Sequence, residues 1–345
     1  MEFSTVTRRT DNAEITVTTT DLGIFGDDGS IQSDTDTITV NINPVANAPT
    51  LTLDPAAKRS LNTIITEAAV QSRGIPLIGL MAALSDIGEA LSIEVRGLDA
   101  NAVVEATAGS VTLDNGVWVL DEAALATAVV KYTSSPGETT VSFDVVAVSK
   151  ELDGNTELDS ADSQVISYAA EIIADGTDLD ASLEAEPTTI VDGDGDTVLT
   201  GSDNDDELIG GEGNDTLIGG LGSDILTGGG GADLFVFNEV DDQQEDVITD
   251  FSVSEGDSID LAGIFSELDS NLDLDSLLQN FAASQELTAT QVGTTDDVKI
   301  ELDTGGTKQS ILVKDLYSQL DNGGDLNQDL LTTLFENNVI KYDGS

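Results

Sequence analysis

The sequence predicts a mainly β chain: a β-sandwich, then a flattened parallel solenoid, then a mixed α+β cap. Three observations predict it. A nine-residue unit repeats without a break from Gly201, reading GSDNDDELI, GGEGNDTLI, GGLGSDILT and GGGGADLFV. Ahead of it, residues 50 to 172 hold short alternating apolar runs separated by turn residues. After residue 262 the pattern mixes alternating and helical spacing.

Within the repeat, Asp206, Asp215, Asp224 and Asp233 recur at position six, and Leu208, Leu217, Leu226 and Phe235 at position eight. An irregular copy precedes them, with Gly193, Gly195 and Asp196 in its loop part and Val198 or Leu199 in its apolar part. Glycines at positions one, two and four allow positive φ angles and a tight turn. The short strand after each turn points its one large apolar residue inward. Two units make one coil, so units two apart stack on the same side. That brings Asp206 near Asp224, Asp215 near Asp233, and Asp196 near Asp215.

Carboxylates stacked at strand spacing, about 4.8 Å, repel. A hard dication removes the conflict, and loop carbonyls complete an all-oxygen shell. About six to eight oxygen ligands suit Ca²⁺, whereas Mg²⁺ takes fewer in stricter geometry. The candidate ligands are Asp196, Asp206, Asp215, Asp224, Asp233, Asp246 and Asp250. Backbone carbonyls near Gly193, Gly195, Gly211, Gly213, Gly220, Gly222, Gly229 and Gly231 are expected beside them.

The charge is uneven. The net charge is −54, from 66 acidic and 12 basic residues, and no Lys or Arg occurs from Glu151 to Val298. Self-repulsion should keep that stretch expanded until cations arrive. Nucleic acid and anionic membrane surfaces are poor partners for it, and no apolar run is long enough to insert into a bilayer. The chain has no Cys, so a metal is the expected staple. It has no visible signal peptide.

Taken in order, residues 1 to 47 read as strands and a linker. Ile15 and Val17 alternate with Thr, as do Ile38, Val40 and Ile42, around an acidic loop at Gly26-Asp27-Asp28-Gly29. Two or three strands cannot close a sandwich, so this segment reads as the end of a domain whose front lies elsewhere. Residues 48 to 172 read as one sandwich. Its strand candidates are Leu51 to Leu53, Ile75 to Leu80, Leu91 to Val95, Val111 to Leu113, Val117 to Leu120, Val129 to Tyr132, Val141 to Val148 and Val165 to Ala169. Asp114-Asn115-Gly116 is a hairpin turn that puts Trp118, the only Trp, on the returning strand. Asp121 can cap a helical turn from Glu122 to Ala126, and Ser134-Ser135-Pro136-Gly137 is a turn.

Residues 173 to 190 read equally as a linker or as a first solenoid strand. Residues 191 to 251 are the solenoid, closed by Asp246-Val247-Ile248-Thr249-Asp250-Phe251, with a second acidic step at Gly256-Asp257-Ser258-Ile259-Asp260-Leu261. Residues 252 to 345 form the cap. Asp275 or Ser276 can start a helix carrying Leu277, Leu278 and Phe281. Val298, Ile300 and Leu302 alternate, Asp303-Thr304-Gly305-Gly306 turns them onto Ile311 and Val313, and a last helix carries Leu330, Leu331, Leu334 and Phe335. Five units give about two and a half coils, and so short a solenoid needs capped ends.

The repeat resembles the RTX nonapeptide GGxGxDxUx, a Ca²⁺-binding β-roll unit. Three consecutive copies match it at every fixed position. The stretch Asn43-Pro44-Val45-Ala46-Asn47-Ala48-Pro49 resembles linkers between cadherin-like and immunoglobulin-like modules of large bacterial adhesins. Such linkers often carry Asp where this chain has Asn47, so a plain linker and a calcified one, drawing on Asp21, Asp27 or Asp54, stand even. The pattern from LSIEVRGL to VVAVS is similar to immunoglobulin-like extender repeats of RTX adhesins. From Asp246 onward the chain resembles the uncleaved targeting region of type I secretion substrates.

These resemblances imply the C-terminal part of an extracellular, cell-surface RTX adhesin. Its implied partners are the type I secretion apparatus and adjacent extender domains, and its cofactor is several Ca²⁺ ions. Two alternatives stay open: a module that grips sugar or peptide, and the RTX tail of a secreted enzyme. No catalytic site is expected. The chain has no His, which excludes Ser-His-Asp and Cys-His chemistry and the His-based zinc site of RTX metalloproteases. No GxSxG elbow is present. The Asp192-Gly193-Asp194-Gly195-Asp196 run is not an EF-hand, because Thr197 and Asp203 stand where that loop needs Gly and Glu.

Overall fold

The computed structural model describes residues 13–21, 32–40, 45–53, 61–77, 79–85, 89–133, 140–153, 156–240, 244–264, 287–303, 308–320 and 330–341. The expected turn at 134–137, the helix from 275, the loop at 26–29 and the tip of the turn at 304–307 lie outside the described residues. So do Asp27, Asp54 and the side chain of Asp21.

Strands Ala13–Asp21 and Gln32–Val40 pair as an antiparallel hairpin. The linker that follows is hydrogen-bonded to the sandwich. The Asn47 backbone N–H donates to Glu89 Oε1 at 2.9 Å, and that of Ala46 to Asp159 Oδ2 at 3.0 Å.

In the sandwich, Val141, Phe143 and Val145 are buried and alternate with Ser142 and Asp144, as a half-buried strand requires. The strand runs longer than expected, Thr140–Asp153, because it pairs with Ala90–Arg96, Thr156–Asp162 and Ile166–Ile173. The hairpin at Asn115-Gly116 has φ of 50° and 87°, the left-handed pair such a turn demands. Trp118 is partly buried and packs against the sandwich core. Asp121 Oδ1 accepts the Ala124 N–H at 2.8 Å and caps helix Glu122–Leu125.

One expected strand is broken. Ile75 to Leu80 divides into Ile75–Pro76 and Leu80–Ala83. Pro76 offers no N–H, and Gly79 turns the chain at φ 92°.

The solenoid is a two-faced parallel roll. On one face, strands Thr188–Val191, Glu207–Glu212, Ile225–Gly230, Glu245–Ile248 and Lys308–Val313 pair in parallel. On the other, Leu179–Asp180, Val198–Thr200, Thr216–Ile218, Leu234–Val236, Ser258–Asp260 and Ile340–Lys341 do the same. Ile190, Leu199, Leu208, Leu217, Leu226, Phe235, Ile248 and Ile259 are each fully buried between the faces. Residues 173 to 190 thus supply solenoid strands. The stack is also taller than two and a half coils, since cap strands from beyond residue 300 continue both faces.

The sandwich and the roll share a sheet. Among the described residues, a fourteen-stranded sheet runs from the cap through the roll into the sandwich. At the join, Asn62–Thr66 pairs in parallel with Ile166–Ile173 on one side and Thr188–Val191 on the other. Successive residues of a strand face opposite ways. Ile65 accordingly lies in the sandwich core, while Ile64 packs on the core of the roll.

Candidate metal centre

Each position-six aspartate is buried at the edge of the roll, where a glycine turn ends and a strand begins. Asp206, Asp215, Asp224 and Asp233 are each no more than 1% exposed. They form two columns, one per edge. In one, the N–H of Thr188 donates to Asp206 Oδ1 at 2.6 Å, that of Asp206 to Asp224 Oδ1 at 2.8 Å, and that of Asp224 to Asp246 Oδ1 at 2.9 Å. In the other, the N–H of Thr197 donates to Asp215 Oδ1, that of Asp215 to Asp233 Oδ1, and that of Asp233 to Asp257 Oδ1, all at 2.9 Å. One oxygen of each carboxylate therefore ties its coil to the coil before it.

Position five forms an outer ladder running the opposite way. The Asn214 N–H donates to Asp196 Oδ1 at 2.7 Å, the Ala232 N–H to Asn214 Oδ1 at 2.8 Å, and the Ser223 N–H to Asp205 Oδ1 at 2.8 Å. Asp196 belongs to this ladder. It is exposed, and Thr197 holds the place of a position-six aspartate. The expected register of the irregular copy is corrected by one residue.

The second carboxylate oxygen separates the rungs. Asp215 Oδ2, Asp224 Oδ2 and Asp233 Oδ2 are fully enclosed and accept no hydrogen bond. An enclosed carboxylate oxygen without a donor is costly, so it marks a place for a cation. The other rungs are satisfied. Asp206 Oδ2 accepts from Ser202 N and Oγ, at 2.5 and 2.9 Å. Asp246 Oδ2 accepts from Gln309 Nε2 at 2.7 Å. Asp257 Oδ2 accepts from the Ser252 N–H at 2.8 Å. Asp250 accepts the N–H groups of Gly228 and Gly229 at 3.0 and 2.9 Å, so it caps a turn.

Glycine at position one lets the backbone approach the carboxylate closely. A Cβ at Gly219 would lie 2.1 Å from Asp224 Oδ2, one at Gly228 would lie 2.2 Å from Asp233 Oδ2, and one at Gly210 would lie 2.5 Å from Asp215 Oδ2. The same Cβ at Gly210 would meet the Gly228 carbonyl oxygen at 2.6 Å. Position one is therefore glycine for close approach. Positive φ is confined to positions two and four, at Gly211, Gly213, Gly220, Gly222, Gly229 and Gly231. The carbonyls of Gly193, Gly195, Gly211 and Gly213 lie directly under glycines of the next coil. Among the described residues no three acidic side chains converge as a metal-holding group. One aspartate oxygen per site must be supplemented by carbonyls, which suits a hard, oxygen-seeking ion.

Burial dominates the proton affinity. It pushes Asp224 up to about 8, and Asp215, Asp233 and Asp257 up to about 6. Hydrogen bonds from the preceding coil pull each of the four back down, and neighbouring carboxylates add to the rise. Asp206 and Asp250 are also raised by burial.

Sequence reasoning overlooked Asp257 as a rung, although Asp257-Ser258-Ile259 keeps the Asp-x-apolar spacing. It also overlooked the position-one carbonyls and the donors Ser202 and Gln309.

Residues 191–226, 200–235 and 209–243 match the family of the RTX calcium-binding nonapeptide repeat (4 copies). No curated protein matches the chain. Among solved structures it is similar to the AlgE6R3 subunit of the Azotobacter vinelandii mannuronan C5-epimerase, studied in solution. The identity is 22% over 44% of this chain and 85% of that one, with a TM-score of 0.25. Residues 191 to 243 thus carry RTX calcium-binding nonapeptide repeats folded as a parallel β-roll, and their several copies imply several Ca²⁺ sites.

Proposed function

We propose that this chain is a Ca²⁺-gated folding and secretion module of a bacterial cell-surface RTX adhesin. The observation that carries the reading is the trio of enclosed, unpartnered oxygens on Asp215, Asp224 and Asp233. Ca²⁺ binds at these three rungs and gathers the turn carbonyls around it. Where Ca²⁺ is scarce, the uncompensated carboxylates hold the roll open. Where it is plentiful, each site at a hundred times its Kd adds about 2.7 kcal/mol to the folded state. Three sites give about 8 kcal/mol, comparable to the whole stability of a domain.

The export context is supported by charge. An acidic stretch without one Lys or Arg over residues 151 to 298 stays unfolded and threadable at low Ca²⁺, which suits passage through a type I secretion apparatus. RTX repeat proteins are typically secreted, and among the described residues no helix is long and apolar enough to cross a membrane. The module works by folding and binding, without a catalytic centre of its own. The sandwich serves as a spacer joined to neighbouring extender domains, and Trp118, packed against its core, supports that over a sugar platform.

Far-UV circular dichroism of the whole chain tests this. A cooperative gain of β signal with millimolar Ca²⁺, absent with Mg²⁺, is expected. A full β spectrum already present in chelator overturns it.

A further inference from the structure

The six carboxylate rungs are not equivalent, and the difference lies in which protein groups reach the second oxygen. The three rungs with a free Oδ2 are Asp224, the middle rung of one column, and Asp215 and Asp233, the first two rungs of the other. In the column of Asp224, both end rungs are met by a donor that the repeat pattern does not supply. At the sandwich end, Ser202 stands at position two, where later copies have Gly211, Gly220 and Gly229. It is 2% exposed, and both its N–H and its hydroxyl reach Asp206 Oδ2. At the cap end, Gln309 is 3% exposed and reaches Asp246 Oδ2 from a strand more than sixty residues away in sequence.

Resting on the Ca²⁺ reading above, we infer that Ser202 and Gln309 are built-in plugs that take the place of an ion at the end rungs of their column. The amide Nε2 of Gln309 sits 2.7 Å from the carboxylate oxygen, within the space a bound ion would occupy. A neutral donor satisfies the oxygen there without an ion. The plugs satisfy both end carboxylates of that column from protein groups alone: Ser202 in the coil next to the sandwich, and Gln309 from the cap strand beside the last full coil. Ion binding in that column is thereby restricted to its middle rung, Asp224.

The test counts Ca²⁺ ions per chain by native mass spectrometry on the full-length protein, in wild type and in two variants. Gln309→Ala strips the donor from Asp246. Ser202→Gly removes the hydroxyl from Asp206 and lets position two take the positive φ of Gly211, Gly220 and Gly229, in whose copies no N–H reaches the rung's second oxygen. Each variant is expected to bind one ion more than wild type. A purely structural role for either residue would leave the count unchanged or lower it. If Gln309→Ala undocks the cap and loses ions, Ser202→Gly at the opposite end decides. Wild type that binds ions, with no gain in Ser202→Gly, overturns the plug assignment and leaves Ca²⁺ gating intact. Wild type that binds none overturns the gating itself.

Discussion

The sandwich and the roll share one sheet and differ in what fills them. Between the sandwich sheets lie large apolar side chains, with Phe143 stacked on Tyr168 at a ring-centroid distance of 5.2 Å. Along the edges of the roll the buried groups are carboxylates, three of them with an oxygen that nothing satisfies. Apolar burial stabilises by itself, at about 25 cal/mol per Å². A buried carboxylate destabilises until a partner arrives. Sharing a sheet therefore does not give the two halves a common stability, and an external ion can control one half alone.

Removing two of the three open carboxylates should have the largest effect. In Asp215→Ala/Asp224→Ala, the roll loses about 5 kcal/mol of ion-linked stability. The Ca²⁺-induced β signal should vanish while Trp118 fluorescence, which reports on the sandwich, stays native. Unchanged Ca²⁺-dependent folding in the double variant would sink the ligand assignment.

Acidity should sharpen the contrast next. The folded-state values of Asp215, Asp224, Asp233 and Asp257 lie above their ordinary 3.8, at about 6 to 8. The metal-free folded roll therefore holds more protons than the unfolded chain. Its stability is fully present below about pH 3.8 and is lost as pH rises through 6 to 8. In Ca²⁺-stripped buffer the folded roll should be favoured at pH 5 over pH 8.5, by on the order of a few kcal/mol, read as a gain of β signal on acidification. With Ca²⁺ the trend reverses, because protons compete with the ion. A metal-free β signal that does not change with pH would contradict the burial account.

The smallest effect belongs to the cap's ion pairs. Lys299 bridges Glu245 at 2.9 Å, with side chains 32% and 41% exposed. Lys299→Ala should cost no more than about 1 kcal/mol, read as a small shift of the thermal midpoint. A loss of cap docking in this variant would mean that charge, more than strand pairing and Gln309, holds the cap.

The roll was legible because each of its rules is written several times over. Asp-x-apolar recurs every nine residues, and a single register reads both the core and the rungs. Legibility failed where a position is filled from outside the repeat. Asp257 is displaced by the insertion between Phe251 and Gly256. Gln309 comes from a remote strand, and at the irregular copy Asp196 drew the reading one residue off, although nine residues back from Asp206 falls on Thr197. The joining strand Asn62–Thr66 was also missed. Its five residues carry only two large apolar side chains, and both of its partners lie more than a hundred residues further along the chain.

Residue-resolved amide hydrogen exchange of the whole chain, in chelator and in millimolar Ca²⁺, tests the central claim most directly. The N–H groups of Asp206, Asp215, Asp224 and Asp233 each donate to the next rung. They should exchange freely in chelator and become strongly protected with Ca²⁺, while strands Thr140–Asp153 and Ile166–Ile173 stay protected in both. Equal protection of the four rung amides with and without Ca²⁺ would contradict the account.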